Sequence, residues 1–420
     1  MSVDSPENVS GLRCVECDLE QPFRFPAYRC DCGGNLEVTY DLDRVRQHFV
    51  RPDIGELARR GHFVYGSLLP LAVPGEQHFS LLVGASQLVQ RPDLAKSCGV
   101  GELHLKDDTR LPSASFKDRA SSVLLAMAAE RNIRQVCTAS TGNAGCSMAC
   151  LCADAGLEAY VFVPASAPAA KIAQLTFYGA RVVRVEGTYD DAFDLCWELS
   201  NRVGWLNRST GWNPFTREGK KTVSFEIAQQ LEWQAPDVVF VPVGDGNIIA
   251  GAYKGFKELA AIGVIDRVPA MVAVQSTGSN AIALALDRVA AGTPVRESVL
   301  PVSATTMADS ISVDLPRDGV AAVRAVVESG GEAVQVSDDE IRSAIVELAG
   351  KAGIFAEPAG ATAYAGIRRW VAAHPEAADL RAVCLVTGNG LKDVGAAAGL
   401  LRPALEVPPD VEVAARLLGI

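Results

Sequence analysis

The chain has 420 residues and a formal net charge of −11 at pH 7. This length favours two lobes with an appendage over one compact domain. The acidic balance and the lack of a long basic run argue against a nucleic-acid surface, and no apolar run reaches the roughly 20 residues of a membrane span. Hydrophobic residues make up 49% and charged residues 21%. These values are typical of a soluble α/β protein, and we expect it in the cytoplasm.

The N-terminal 40 residues are rich in turns and contain four of the eleven cysteines, Cys14, Cys17, Cys30 and Cys32. The first pair is separated by two residues and the second by one. This spacing resembles the two knuckles of a zinc ribbon, in which two intervening residues are usual. A structural zinc site and unligated thiols both remain open here. The other cysteines lie in apolar contexts, and we expect reduced core thiols at Cys98, Cys137, Cys146, Cys150, Cys152, Cys196 and Cys384.

A lysine stands at the predicted start of a helix. Lys117 belongs to the segment 115–119 (Ser-Phe-Lys-Asp-Arg), directly before a helical run over 120–130. The positive end of a helix dipole disfavours an ammonium group and lowers its pKa, which suits an amine that must be neutral to form an imine. A solvated lysine in a charged Lys-Asp-Arg trio explains the same residues, so this segment alone does not decide its role.

From residue 136 onward, short β-branched runs alternate with helical stretches. A first series has strands at 136–139, 159–163 and 181–185, with helices from about 144, over 169–177 and over 189–203. A second series has strands at 237–243, 270–274 and 382–386, with helices over 249–261 and from about 391. Such βα units predict parallel sheets, and the break near residue 203 predicts two lobes with a cleft between them. We interpret 316–350 as a surface βα excursion in which Ser337 caps a helix.

Three turns rich in glycine, asparagine and hydroxyl groups connect predicted strands to helices, at 140–145, 242–248 and 386–393. Backbone N–H groups at a helix start bind anions. The first turn suits a carboxylate, although a simple polar cap explains it too, and the second suits a compact phosphate. Since ligands collect beyond the carboxyl ends of strands in open α/β sheets, we predict that the turns form one site. The histidines fall outside these turns, which disfavours hydrolytic triads and histidine metal sites.

With these motifs in chain order, residues 80–400 resemble the fold-type II pyridoxal 5'-phosphate (PLP) enzymes and, among them, most closely the threonine synthase family. The resemblance is carried by the segments 115–119, 140–145, 213–222, 242–247 and 386–393. The cysteine-containing segment 14–40 also resembles the leader of many threonine synthases. The implied fold class is a two-lobed α/β protein with parallel-rich sheets and a small zinc-ribbon-like N-terminal segment. The corresponding domains are 1–40, a large PLP-binding domain of 41–112 and 203–420, and a small α/β domain of 113–202.

The resemblance also implies roles for matching residues. Lys117 would hold PLP as a Schiff base and move protons, with Phe116 beside the ring. Asn143 would hydrogen-bond the 3'-oxygen of PLP, and Thr387 would face the pyridine nitrogen, where a neutral hydroxyl tempers electron withdrawal. The phosphate of PLP would be surrounded by Gly244, Asp245, Gly246, Asn247 and Ile248, and the substrate carboxylate by Ser140, Thr141 and Ala144.

The implied reaction converts O-phospho-L-homoserine and water to L-threonine and phosphate in a homodimer. Two other outcomes on the same coenzyme stay open: dehydration of threonine or serine, and β-replacement on an O-activated serine as in cysteate and cysteine synthases. A non-catalytic zinc-ribbon binding protein is a third reading, which the intact Lys117 and the acidic charge disfavour. Substrate contacts are expected to differ from the family's, because 111–114 reads Leu-Pro-Ser-Ala where Asn-Pro-Thr-Gly is usual, and 309–314 is acidic.

Overall fold

The computed structural model describes residues 5–73, 79–398 and 404–420. The strands are β1 (Val9–Cys14), β2 (Glu20–Gln21), β3 (Leu36–Tyr40), β4 (Gln87–Gln90), β5 (Glu102–Asp107), β6 (Gln135–Ala139), β7 (Glu158–Pro164), β8 (Arg181–Val185), β9 (Leu206–Asn207), β10 (Val238–Pro242), β11 (Ala270–Ser276), β12 (Glu332–Val336) and β13 (Arg381–Val386). The α-helices are α1 (Leu42–His48), α2 (Ile54–Arg60), α3 (Pro92–Cys98), α4 (Lys117–Glu130), α5 (Asn143–Ala155), α6 (Ala169–Phe177), α7 (Tyr189–Val203), α8 (Phe215–Lys220), α9 (Thr222–Gln230), α10 (Asn247–Ala261), α11 (Ala281–Ala290), α12 (Val295–Ser298), α13 (Gly319–Glu328), α14 (Asp338–Glu347), α15 (Pro358–Ala373), α16 (Val394–Ala398) and α17 (Val411–Leu418). Among these helices none has the length and apolar character needed to cross a membrane.

The larger sheet has six strands in the order β12-β11-β10-β13-β5-β4. All neighbours pair in parallel except β4, which runs antiparallel to β5 at one edge. Every residue of β10 is buried, as its unbroken Val-Val-Phe-Val run requires of a strand covered by helices on both faces. The carboxyl ends of β10 and β13 therefore reach the same edge of the sheet.

The smaller sheet has four parallel strands in the order β8-β7-β6-β9. The helices predicted over 169–177 and 189–203 and the strand predicted over 181–185 have these bounds in α6, α7 and β8. The two-sheet α/β architecture predicted from the sequence is confirmed. The division into domains at residues 40, 112 and 202 stays a prediction, and β9 lies just beyond the last of these boundaries.

The interpretation of 316–350 as a surface excursion is wrong. Its strand β12 pairs in parallel with β11 and forms one edge of the larger sheet. Val336 and Ile341 are fully buried, so this segment contributes to the core of the large lobe. The predicted cap is confirmed, because the Ser337 side chain accepts a hydrogen bond from the Glu340 N–H and Glu340 bonds back to Ser337.

The N-terminal segment folds as a three-stranded antiparallel sheet in the order β2-β1-β3. It packs on both α8 and the turn before α13. The Tyr40 hydroxyl donates to Glu218 Oε2 at 2.6 Å, and Asn35 Nδ2 donates to Asp318 Oδ1 at 3.0 Å. The seven cysteines predicted in the core are all buried.

Candidate active site

A cleft of about 1090 Å³ lies where the carboxyl ends of β6, β10 and β13 meet. Its lining includes residues 140–144 of the first glycine-rich turn, residues 242–248 of the second, Thr387 of the third, and Lys117. The three turns therefore meet at one cavity: two follow the neighbouring strands β10 and β13 of the larger sheet, and one follows β6 of the smaller sheet. Of the predicted site residues, those that line this cleft are Lys117, Ser140, Thr141, Asn143, Ala144, Gly244, Asp245, Gly246, Asn247, Ile248 and Thr387.

Lys117 is the first residue of α4, is partly buried and lines the cleft. Burial lowers the pKa of its ammonium group, and the nearby Arg208 acts in the same direction, while Glu357 and Asp245 oppose the shift. The backbone before it is fixed to the third turn, because the Phe116 N–H donates to Thr387 O at 2.8 Å. The result is an amine biased towards its neutral, nucleophilic form and held at a defined place.

Among the residues predicted to contact the coenzyme or the substrate, Phe116 is the one that does not line the cleft. Its ring is buried in the core of the large lobe, 5.7 Å from the guanidinium of Arg119. Its expected position beside the PLP ring stays a prediction. Two residues earlier, Ala114 adopts a positive φ of 63°. This is the position at which the resembling family has glycine, which takes up such a conformation without steric cost.

The turn between β10 and α10 fits a phosphate group. Gly246 is the N-cap residue of α10 with φ of 90°, and Asn247 is the first helical residue. A side chain at Gly244 would collide with the backbone of Ile311, so only glycine leaves this approach open. The first N–H groups of a helix have no acceptor within the helix and bind anions. The Asp245 carboxylate is engaged by the Arg317 N–H at 3.1 Å.

Glu357 is a buried cleft residue that the sequence interpretation missed. It precedes Pro358 at the start of α15, and its Oε1 accepts a hydrogen bond from Asn143 Nδ2 at 2.8 Å. Burial raises the pKa of this carboxyl to about 7, against the opposing effects of Lys117, Lys392 and the hydrogen bond from Asn143. The feature of the sequence that could have identified Glu357 is its position as the single acidic residue in the apolar run 354–359.

The raised pKa of Glu357 predicts a pH-dependent stability in the coenzyme-free protein. A carboxyl with an ordinary pKa of 4.5 that rises to about 7 on folding favours the folded state at low pH, and this contribution is lost as pH rises from about 4.5 to 7. Over this range we expect the free energy of unfolding of the wild type to fall, relative to Glu357→Gln, by up to about 3 kcal/mol. Urea unfolding at several pH values measures it.

The matched control for this prediction is Glu376→Gln, which removes an exposed carboxylate from the same lobe. We expect the free energy of unfolding of this variant to change with pH in the same way as that of the wild type. If the free energy of unfolding of Glu357→Gln also followed that of the wild type between pH 4.5 and 7, the raised pKa of Glu357 would be contradicted.

The four N-terminal cysteine thiols are brought together. The Sγ atoms of Cys14, Cys17, Cys30 and Cys32 all lie within 4.8 Å of one another. Cys14 Sγ is 3.5 Å from Cys32 Sγ, and Cys17 Sγ is 3.8 Å from Cys30 Sγ. The shorter second knuckle therefore does not prevent convergence of the four thiols. Four sulfur ligands at one point are the donor set that a structural zinc ion prefers.

Comparison with known proteins gives a family match and several close relatives. A family profile described as "Pyridoxal-phosphate dependent enzyme" matches residues 79–388. A threonine synthase of Methanocaldococcus jannaschii is 36% identical over 97% of this chain and 98% of its own length. A threonine synthase of Methanosarcina acetivorans is 34% identical over 91% of this chain and 92% of its own length.

Solved structures resemble the fold. The processed form of threonine deaminase isoform 2 from Solanum lycopersicum has a TM-score of 0.61 at 25% identity, covering 75% of this chain and 86% of that one. Maize serine racemase has a TM-score of 0.63 at 21% identity, covering 84% and 97% of the two chains. The second likeness concerns the fold alone.

Proposed function

Since the chain belongs to the pyridoxal-phosphate dependent enzymes and, within them, to the threonine synthase family, we propose that its cleft converts O-phospho-L-homoserine and water to L-threonine and phosphate. The observation that carries this proposal is the combination of nearly full-length similarity to threonine synthases with a partly buried lysine opposite a glycine-rich helix start. The Lys117 amine, the Asn143 amide, the 244–248 turn and the Thr387 hydroxyl all line one cleft and fit the functional groups of PLP.

PLP, when bound, withdraws electrons from the α carbon of an amino acid. Lys117 is the base that we propose for this chemistry, because its lowered pKa leaves the amine free to accept a proton. It removes the α proton and then a β proton, and phosphate departs from the γ carbon. Protons then return to the γ and α carbons, and the hydroxyl group of water adds at the β carbon. In this proposal a single base, on the flexible side chain at the start of α4, serves both carbons.

Ser140, Thr141 and Ala144 are the residues that we propose for the substrate carboxylate. They line the cleft around the N-terminus of α5, where N–H groups lack helical acceptors. Ser140 Oγ accepts from the Gly142 N–H at 3.2 Å, which holds the turn in shape. Both carboxylates of the acidic stretch 309–314 have partners. Asp309 forms an ion pair with Lys171 at 2.7 Å, and Asp314 accepts a hydrogen bond from the Ala304 N–H at 2.7 Å.

The substrate proposal is tested by supplying the purified, PLP-loaded protein with different amino acids. We expect phosphate and threonine to form in equal amounts from O-phospho-L-homoserine, with far slower release of keto acid from threonine. Predominant keto-acid release would favour the dehydratase alternative. Phosphate release from O-phosphoserine that depends on sulfite or sulfide would favour β-replacement. Either outcome would overturn the substrate assignment while leaving the coenzyme assignment in place.

We propose that Cys14, Cys17, Cys30 and Cys32 bind a structural zinc ion. Support comes from the convergence of the four thiols and from the contacts of this segment with the cleft. Arg29 and Asn35 both line the cleft, so loss of the ribbon fold would disturb its mouth. The ion has no role in the chemical step in this proposal.

For this site we expect Cys17→Ser to lose zinc and to melt at a lower temperature than the wild type, because zinc binding stabilises only the folded ribbon. Zinc content by atomic absorption and thermal unfolding measure the two effects. The matched control is Cys98→Ser, which changes a buried cysteine outside the cluster and should keep the zinc. Wild-type protein that binds no zinc when refolded with it would contradict the proposal.

A homodimer and a cytoplasmic location complete the proposal. Seven buried thiols suit a reducing compartment, where disulfides are rare. The dimer rests on the family resemblance, and sedimentation equilibrium of the purified protein tests it. A single species at 44.4 kDa would contradict it.

A further inference from the structure

Among the described residues four lysines are fully or almost fully buried, and one of them lacks a carboxylate partner. Lys106 pairs with Glu226 at 2.7 Å, Lys221 pairs with Glu218 at 2.6 Å, and Lys254 pairs with Glu218 and Glu258. Lys220 forms no ion pair within the part of the chain that the structure describes, although it is fully buried. A buried ammonium group without an anion is costly, so an unpaired one indicates a ligand.

Lys220 lies at the base of the cleft, beside the start of α10. It is the last residue of α8, and its Nζ donates a hydrogen bond to Oδ1 of Asn247. Asn247 is the first residue of α10 and belongs to the turn proposed for the phosphate of PLP. The ammonium group therefore lies at the same helix N-terminus as the free backbone N–H groups.

The carboxylates near Lys220 are already engaged by other groups. Asp318 Oδ1 lies 2.5 Å from Arg217 Nη2 and 3.0 Å from Asn35 Nδ2, and Asp318 Oδ2 accepts from Asn247 Nδ2 at 2.6 Å. This arrangement turns the amide oxygen of Asn247 towards Lys220 and its nitrogen away. The pKa of Lys220 is lowered well below its ordinary value by burial and by the nearby cations Lys117 and Arg208.

We propose that Lys220 is the cationic ligand of the coenzyme phosphate at the N-terminus of α10. Its ammonium group and the helix N–H groups together bind the phosphate dianion, and the ion pair formed there replaces the missing carboxylate. The hydrogen bond to Asn247 places Lys220 on the coenzyme phosphate and not on the phosphate of the substrate. This inference rests on the proposed use of PLP but not on the proposed substrate.

The experiment compares PLP with pyridoxal, which lacks the phosphate, by titrating coenzyme-free protein and following the visible absorbance of the bound coenzyme. For Lys220→Gln we expect PLP affinity to fall by about 10- to 100-fold, the loss typical of one charge-assisted hydrogen bond. Pyridoxal affinity should stay within about 3-fold of the wild-type value, because a change below about 1 kcal/mol is expected where no phosphate is bound. Lys220→Arg should retain most of the PLP affinity.

The matched control is Arg296→Gln, which removes an exposed cation from the lining of the same cleft and should leave both affinities unchanged. A Lys220→Gln protein that bound PLP and pyridoxal with equally reduced affinity would show a merely structural role and overturn the proposal. Unchanged PLP affinity with a raised KM for O-phospho-L-homoserine would assign Lys220 to the substrate phosphate instead. Thermal unfolding of each variant with inorganic phosphate gives a second readout that needs no coenzyme: the wild type, Lys220→Arg and Arg296→Gln should be stabilised, and Lys220→Gln should not.

Failure of the proposed function is distinguishable from failure of this inference. If the protein bound PLP but released no phosphate from O-phospho-L-homoserine, the pyridoxal comparison would still decide the role of Lys220. If it bound no PLP at all, both proposals would fall together.

Discussion

Lys117→Ala is expected to lower kcat/KM for O-phospho-L-homoserine by at least about 10⁴-fold, because one side chain supplies both the covalent anchor and the base. The amine lies at the start of α4 with a pKa lowered by burial. In the described residues the other unpaired lysine of the cleft is Lys220, which the Asn247 amide binds at the base of the cleft. It is therefore not placed to replace Lys117 as a base.

The measurement is the rate of phosphate release at saturating PLP, together with the visible spectrum of the loaded protein. Lys96→Ala, a change at an exposed lysine of α3, is the matched control and should retain full activity. The Lys117→Ala protein should keep its cooperative unfolding transition, since the lysine forms no ion pair with any residue that the structure describes. Activity within about 10-fold of the wild type would contradict the role of this lysine, because loss of a general base alone costs more.

Glu226→Gln is expected to lower the free energy of unfolding by about 3 to 5 kcal/mol, the range for removing one partner of a buried ion pair. Glu226 is fully buried and pairs with Arg119 Nη1 at 2.6 Å and with Lys106 Nζ at 2.7 Å. Asp108 binds Arg119 at 2.6 Å and would be left as the single carboxylate for two buried cations. Arg119 of this network lies on α4 two residues after Lys117, so loss of the network should also weaken PLP binding.

Urea unfolding at pH 7 measures this change, with Glu198→Gln on the exposed face of α7 as the matched control. The two cations hold the pKa of Glu226 well below its ordinary value of 4.5. The Glu226 carboxylate therefore stabilises the folded state above about pH 4.5, and this contribution is lost as the pH falls below that value. If Glu226→Gln lowered the free energy of unfolding by less than about 1 kcal/mol at pH 7, the value would be that of an exposed ion pair and would contradict the buried network.

The same network explains why part of the large sheet was not predicted from the sequence. β5 reads Glu-Leu-His-Leu-Lys-Asp, and its polar residues His104 and Lys106 are buried. Alternation of apolar and charged residues is typical of a strand with one solvent face, whereas this strand is covered on both. The charge of Lys106 is balanced in the core by Glu226, and that pairing joins residues 120 positions apart.

Regular βα units were predictable because each buries its own apolar strand and one helix face. The site followed from the same regularity, since Lys117 and the three turns stand at fixed points of strands and helices. Glu357 and Lys220 were not found, because the feature that distinguishes each is the presence or absence of a partner in space. The segment 316–350 was misplaced for a related reason: its alternating pattern suits an edge strand as well as a surface excursion.

The most direct test of the account is to identify the lysine that carries the coenzyme. The PLP-loaded protein is reduced with borohydride, digested, and the modified peptide is sequenced by mass spectrometry. The account predicts the pyridoxyl group on Lys117, with Lys220 in unmodified peptides. Modification at Lys220, or at any lysine outside the cleft, would contradict it.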